Sequence, residues 1–118
     1  MKLNHLDLRV RDVSAFSAFL VRHFGFVVTS QAESKALVFL DDGHGFSLVL
    51  QRSAQDVTYP EDFHLGFLVE GADEVHRVRA RLFDAGLEVP EVVVNGRGTL
   101  LYFRGPEGLL FEVSSRSR

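Results

Sequence analysis

Apolar and polar positions in this chain follow two periods, and they switch between them in the same order twice. "LNHLDLRV" (residues 3–10) alternates, with Leu6, Leu8 and Val10 on one side and His5, Asp7 and Arg9 on the other. That is the pattern of a half-buried strand. Asp12 then offers an N-cap, and Val13, Phe16, Leu20 and Phe24 recur three or four residues apart as the apolar stripe of a helix. Gly25 is well placed to end it. Three β-like runs follow, "FVVTS" (26–30), "ALVFL" (36–40) and "FSLVLQ" (46–51), the last two joined by the turn residues "DDGHG" (41–45). The polar, aperiodic "RSAQDVTYPE" (52–61) interrupts the pattern.

The order then recurs. "FHLGFLV" (63–69) is a strand, with Leu65, Phe67 and Val69 on one face and His64, Gly66 and Leu68 on the other. "ADEVHRVRARLFDA" (72–85) is a helix with Val75, Val78, Leu82 and Ala85 on one stripe, closed by Gly86. "EVVV" (91–94), "TLLYF" (99–103) and "LLFEVS" (109–114) are strands, and "RGPEG" (104–108) turns between the last two. His5 aligns with His64, Gly25 with Gly86, and "ALVFLDDGHGFSLVL" with "TLLYFRGPEGLLFEV" without a gap. Repetition of this kind sets the fold expectation: an α+β chain of two βαβββ modules, the first at 1–53, a linker at 54–61 and the second at 62–118.

Composition narrows the chemistry. With 118 residues, 46% of them hydrophobic, the chain can bury a core. A formal net charge of −3 argues against nucleic acid as a partner. No apolar run approaches a membrane span, and the alternating N-terminus does not read as a signal peptide. There are no cysteines, so disulfides and thiolate metal sites are excluded and a cytoplasmic location is the expectation. Any metal ligands must be nitrogen or oxygen donors.

The repeat makes three residues candidates for such a site. In the last strand Leu109, Phe111 and Val113 form an apolar row, while Leu110, Glu112 and Ser114 form the other. Glu112 therefore shares the mixed face with His64, and the counterpart of Glu112 in the first module is Val49. Two histidines at matching repeat positions plus a carboxylate on the same face form a set able to hold Fe, Mn, Ni, Co or Zn as the divalent ion with positions left open.

The pieces "NHLDLRVRD", "FHLGFLVEG" and "YFRGPEGLLFEV" resemble the vicinal oxygen chelate superfamily, which includes glyoxalase I, fosfomycin-resistance enzymes, extradiol dioxygenases and bleomycin-resistance proteins. The resemblance covers nearly all residues. In the family's common ending a turn such as D-P-D-G precedes an apolar pair and a metal-binding Glu; here Gly105 replaces the first Asp, a change that affects the turn more than the site. The resemblance implies that the strands curl into a partly open barrel around one cavity, with the helices outside. It also implies that His5, His64 and Glu112 are metal ligands. Glyoxalase-like members often have a fourth ligand at the position of Val49, which cannot coordinate, so three remain. In such sites a substrate with two neighbouring oxygens chelates one divalent ion, which stabilises developing oxyanion charge.

Other residues are weaker candidates. Tyr102, in the strand before Glu112, is a candidate general acid or substrate hydrogen-bond donor. Arg97 and Arg104 flank that strand and could meet an anionic substrate. Ser47 and Gln51 share the row of Val49, and Asp7 and Arg9 follow His5, as pocket lining or as a mutual pair. His44 is expected in an exposed turn, and His23 and His76 on polar helix faces. Neither "DDGHG" nor "GRG" (96–98) sits between a strand and a helix as a phosphate loop would. The expected function is a metal-dependent enzyme of the glyoxalase/dioxygenase type (a lyase or isomerase, transferase or dioxygenase) acting on a small molecule with vicinal oxygens. The alternative is a non-catalytic, bleomycin-resistance-type protein that binds an antibiotic or another planar ligand, which the eleven Phe favour mildly. The resemblance further implies a homodimer.

Overall fold

A computed structural model describes residues 1–116; the last two positions of the second module lie outside the described residues. The chain divides into two compact units, Met1–Thr58 and a second beginning at Tyr59. The fold is α+β, two helices with eight strands in two open mixed sheets, and each unit repeats the order strand, helix, three strands. No helix among the described residues is long and apolar enough to cross a membrane.

In the first unit β1 (His5–Val10), β2 (Val27–Gln31), β3 (Leu37–Asp41) and β4 (Ser47–Arg52) form a sheet of order β1-β4-β3-β2, with β1 and β4 parallel and the other pairs antiparallel. Helix α1 (Val13–Phe24) supplies the crossover between β1 and β2. Its start is set by Asp12, whose carboxylate accepts from the Ala15 N–H at 2.9 Å, and its end by Gly25 in the left-handed conformation (φ 70°). Val13, Phe16 and Leu20 of α1 are buried together with Leu8, Val10, Val38, Leu40, Leu48 and Leu50 from the strands. His23 departs from expectation. It is buried, with its ring 4.9 Å from that of Phe19, because the buried face of α1 is wider than the single stripe and also takes in Ser17. His44 and His76 are exposed, as expected.

The second unit repeats the plan with β5 (His64–Leu68), α2 (Ala72–Asp84), β6 (Val93–Asn95), β7 (Gly98–Arg104) and β8 (Leu110–Arg116), in the order β5-β8-β7-β6. Val75, Val78 and Leu82 of α2 are buried, but Ala85 is exposed because the helix stops one residue before it. Strand β6 is three residues long, shorter than the apolar run "EVVV" suggests: its ladder with β7 begins only at Val93, and the preceding Pro90 has no N–H to donate. Phe111, fully buried, stacks on Phe103 and Phe67 at centroid distances of 5.4 and 6.2 Å.

The two sheets share their register as well as their order. His5 lies opposite Ser47, and Val49 opposite both Asp7 and Phe39. In the second sheet His64 lies opposite Leu110, and Glu112 opposite both Gly66 and Tyr102. Each pair sits at the offsets seen in the sequence alignment, so the repeat is a property of the hydrogen-bonded ladder.

Candidate functional site

Glu112 occupies the middle of β8, the inner strand between β5 and β7. Its neighbours Phe111 and Val113 point toward α2 and the core, so the alternation of the strand turns Glu112 to the opposite face. The carboxylate is nevertheless nearly buried, with 6% of the residue exposed. A carboxylate so far removed from water requires compensating partners, and two are present. His64 Nε2 lies 2.9 Å from Oε2, and Arg97 Nη2 lies 3.5 Å from Oε1.

The orientation of His64 follows from its other ring nitrogen. Nδ1 is 2.8 Å from the main-chain carbonyl oxygen of Asp62. A carbonyl oxygen can only accept, so Nδ1 carries the hydrogen and donates it. In the neutral ring Nε2 is then left with a lone pair, and that lone pair faces a carboxylate oxygen, itself an acceptor. Two acceptors at this distance need something between them that both can hold, a shared proton or a cation. An imidazole fixed through Nδ1 to a carbonyl is also the arrangement in which histidines are presented to metals. The donor chemistry thus fits two positions of a divalent-ion site.

His5 begins β1 of the first unit and is exposed. Its Nδ1 is engaged as well, 2.8 Å from Asn4 Oδ1. An amide oxygen accepts, so with this assignment Nε2 is again the nitrogen with the lone pair. His5 and His64 therefore match in sequence position, in register and in the ring atom presented. Among the described residues no group of three or more His, Asp or Glu side chains gathers closely enough to hold a metal ion.

Tyr102, opposite Glu112 in the β7–β8 ladder, meets the ring of His64 edge-on at 6.1 Å between centroids. Its hydroxyl accepts from Arg97 Nη1 at 3.3 Å. The Arg97 guanidinium is held above its ordinary pKa by that hydrogen bond first and by Glu112 after it. Arg104 does different work: it donates to the carbonyls of Gly108 and Glu61, both at 3.2 Å, and so ties down the turn before β8. Asp7 and Arg9 pair with each other at 3.5 Å. A groove of about 460 Å³ opens beside Glu112, lined among others by Gly66, Leu68, Arg97, Leu100 and Arg116. A Cβ at Gly66 would lie 3.9 Å from Glu112 Oε2, an ordinary contact.

Sequence reasoning missed the Asp62 carbonyl, since a main-chain acceptor has no signature in side-chain identities. It also did not connect Arg97 to Glu112. The turn "NGRG" was the available signal, because a tight hairpin between β6 and β7 returns the residue at its tip toward the strand beyond.

The pattern of the Glyoxalase/Bleomycin resistance protein/Dioxygenase superfamily matches residues 2–113. The chain belongs to that superfamily. No curated protein sequence matches it. Among solved structures it is similar to a possible glyoxalase from Bacillus cereus, at 32% identity and a TM-score of 0.87, over 97% of this chain and 98% of that one. It is also similar to the fosfomycin resistance protein FosX from Listeria monocytogenes in complex with Mn(II) and a dihydroxypropylphosphonic acid, at 25% identity and a TM-score of 0.77, over 98% and 90% of the two chains. Lactoylglutathione lyase from Agrobacterium tumefaciens, at 22% identity and a TM-score of 0.79 over 97% and 92%, shares the fold.

Proposed function

We propose that this superfamily member is a divalent-metal-dependent enzyme acting on a small molecule with two neighbouring oxygens. His64, Glu112 and His5 are its metal ligands, His5 coming from the same chain or from a second copy in a homodimer. The observation that carries the reading is the approach of His64 Nε2 to Glu112 Oε2 at 2.9 Å with Nδ1 already committed to the Asp62 carbonyl. The two donor atoms already lie side by side, so His64 and Glu112 would hold one ion between them and supply it with a nitrogen and an anionic oxygen donor. The pair therefore needs little rearrangement to accept an ion. The Mn(II) complex of the FosX relative supports a divalent ion as well.

The ion would stabilise negative charge that develops on the substrate oxygens. The chain's own groups do the rest. Glu112 supplies the anionic ligand from a nearly buried position, where little water competes for it. The Asp62 carbonyl holds the His64 ring so that Nε2 does not turn away. Tyr102 accepts from Arg97 and so can turn its own O–H toward a substrate oxygen.

The apolar share of the groove, including Phe67, Leu68 and Leu100, favours the second reading, capture of a planar ligand without chemistry. Elemental analysis and calorimetric titration with Mn(II), Fe(II), Co(II), Ni(II) and Zn(II) decide between them. The enzyme reading expects about one ion per ligand set, lost in His64→Ala and in Glu112→Gln. Failure of every ion to bind, with planar ligands bound regardless of chelator, would establish the second reading. Mixing His5→Ala with Glu112→Gln protein then tells whether His5 comes from the same chain: only a site shared between copies regains metal in the mixture.

A further inference from the structure

Arg104 is the last residue of β7, and its place in the sheet sets what its side chain can reach. Leu110 of β8 lies opposite Arg104 on one side and opposite His64 on the other. Residues directly opposite in a ladder share a face, so His64, Leu110 and Arg104 form one row across three strands. The Arg104 guanidinium is engaged twice: Nη1 donates to the Gly108 carbonyl and Nη2 to the Glu61 carbonyl, each at 3.2 Å. Gly108 belongs to the turn that leads into β8 and Glu112, and Glu61 to the segment that leads into β5 and His64. One planar group thus links the entries of both strands that carry candidate ligands. The carbonyl that holds His64 Nδ1 belongs to Asp62, the residue directly after Glu61. Residues 60–63 form a turn closed by the Phe63 N–H on the Pro60 carbonyl at 3.0 Å, with Tyr59 and Phe63 stacked at 5.5 Å. Glu61 and Asp62 are exposed, and surface turns of this kind are among the more mobile parts of a chain. A guanidinium on one of two consecutive carbonyls restrains the other.

We infer that Arg104 is a positioning residue for His64: by gripping the Glu61 carbonyl it fixes the Asp62 carbonyl beside it, and through that bond the direction in which Nε2 points. The inference rests on the metal-site reading above for what the ring does, and adds a residue to that site. The first module supplies a comparison within the same molecule. The residue aligned with Arg104 is Asp41, in one row with Ser47 and His5. Asp41 accepts from the Gly43 N–H at 2.6 Å, and His5 has the side chain of its neighbour Asn4 as its partner. The brace from the far strand therefore belongs to His64 and not to its counterpart. The direction of the effect also separates positioning from charge. Arg104 carries the same sign of charge as a metal ion, so Coulomb's law alone predicts tighter metal binding when it is removed. Positioning predicts weaker binding.

The test uses the full chain, wild type against Arg104→Gln and Arg104→Lys. Histidine ring spectra of the metal-free proteins, recorded as nitrogen–proton correlations, give the rate at which the His64 Nδ1 proton exchanges with water, with His5 as the control in the same spectrum. Mn(II) affinity is read from the electron paramagnetic resonance signal of the free ion. Arg104→Gln is expected to speed exchange at His64 and leave His5 unchanged, and to weaken Mn(II) binding by about tenfold, the lower end of what loss of an outer partner costs a metal site. Arg104→Lys keeps the charge but has one nitrogen for two carbonyls. It should fall between the two, and it carries the comparison if Arg104→Gln does not fold. An unchanged His64 signal, equal or tighter Mn(II) binding by Arg104→Gln, or an Arg104→Lys protein indistinguishable from the wild type would overturn the inference and leave the metal reading standing. If the wild type binds no Mn(II), the metal reading falls, and the His64 exchange rate alone decides whether Arg104 holds the ring.

Discussion

Gly105 precedes the short 3-10 turn at Pro106–Gly108 that leads into β8, and its φ of −97° is one that any residue can adopt. On backbone grounds alone, Gly105→Ala should stabilise the protein by about 0.4–1 kcal/mol, because the unfolded chain loses freedom. Packing predicts the opposite sign. A Cβ at Gly105 would lie 2.5 Å from Cε1 and 2.8 Å from Cδ1 of Phe111. That ring has no exposure and is stacked against Phe103 and Phe67. It cannot step aside without disturbing the core beneath Glu112. Overpacking of this kind costs about 1–3 kcal/mol. For 118 residues, with roughly 2.1 cal/mol/K of unfolding entropy each, that is a fall in Tm of about 4–12 °C. Urea unfolding and calorimetry of Gly105→Ala measure the change. Combining it with Phe111→Leu in a double-mutant cycle should recover about 0.5 kcal/mol or more of the loss. A Gly105→Ala protein as stable as the wild type, or strict additivity with Phe111→Leu, would refute the packing argument.

Other expectations follow from single contacts. If the metal-site proposal holds, a hundredfold excess of ion over Kd should stabilise the wild type by about 2.7 kcal/mol, and Glu112→Gln should abolish that gain; differential scanning calorimetry with and without Mn(II) reads it. Asp12→Ala removes the side-chain acceptor from the Ala15 N–H and should cost about 1 kcal/mol in urea unfolding. Burial first, and Glu107 second, raise the pKa of Tyr59. A raised folded-state value means that the contribution to stability is present below the ordinary tyrosine pKa and is lost as pH rises through the folded one. In a Tyr102→Phe background Tyr59 is the only tyrosine. Its ultraviolet titration should have a midpoint above about 10, lowered by Glu107→Gln, and a midpoint at the ordinary value would contradict the assignment.

Much of this architecture was legible because the chain states it twice. The alternation around His5 and His64, the helix stops at Gly25 and Gly86, and the ungapped match of the two hairpins correspond to two sheets with one strand order and one register. Glu112 on the face of His64 followed from the period of two in β8, because Phe111 and Val113 had to face the core. What the sequence concealed depends on contacts without side-chain signatures or on packing width. The Asp62 carbonyl that orients His64 is main chain. His23 reads as polar in a helical wheel, yet it is buried with its ring against that of Phe19. Arg97 reads as solvated until the hairpin folds it back over β7 and β8.

The central claim is that His64, with Nδ1 tied to the Asp62 carbonyl, turns Nε2 toward Glu112 so that the two can hold a divalent ion. Long-range nitrogen–proton correlation spectra of the histidine rings test it most directly, recorded at neutral pH before and after addition of one equivalent of Zn(II). The account predicts that the His64 ring is protonated at Nδ1 in the bound form, that its Nε2 resonance moves into the range of a metal-bound imidazole, and that Glu112→Gln suppresses the change. A His64 Nε2 resonance unmoved by Zn(II), or a bound ring protonated at Nε2, would contradict it.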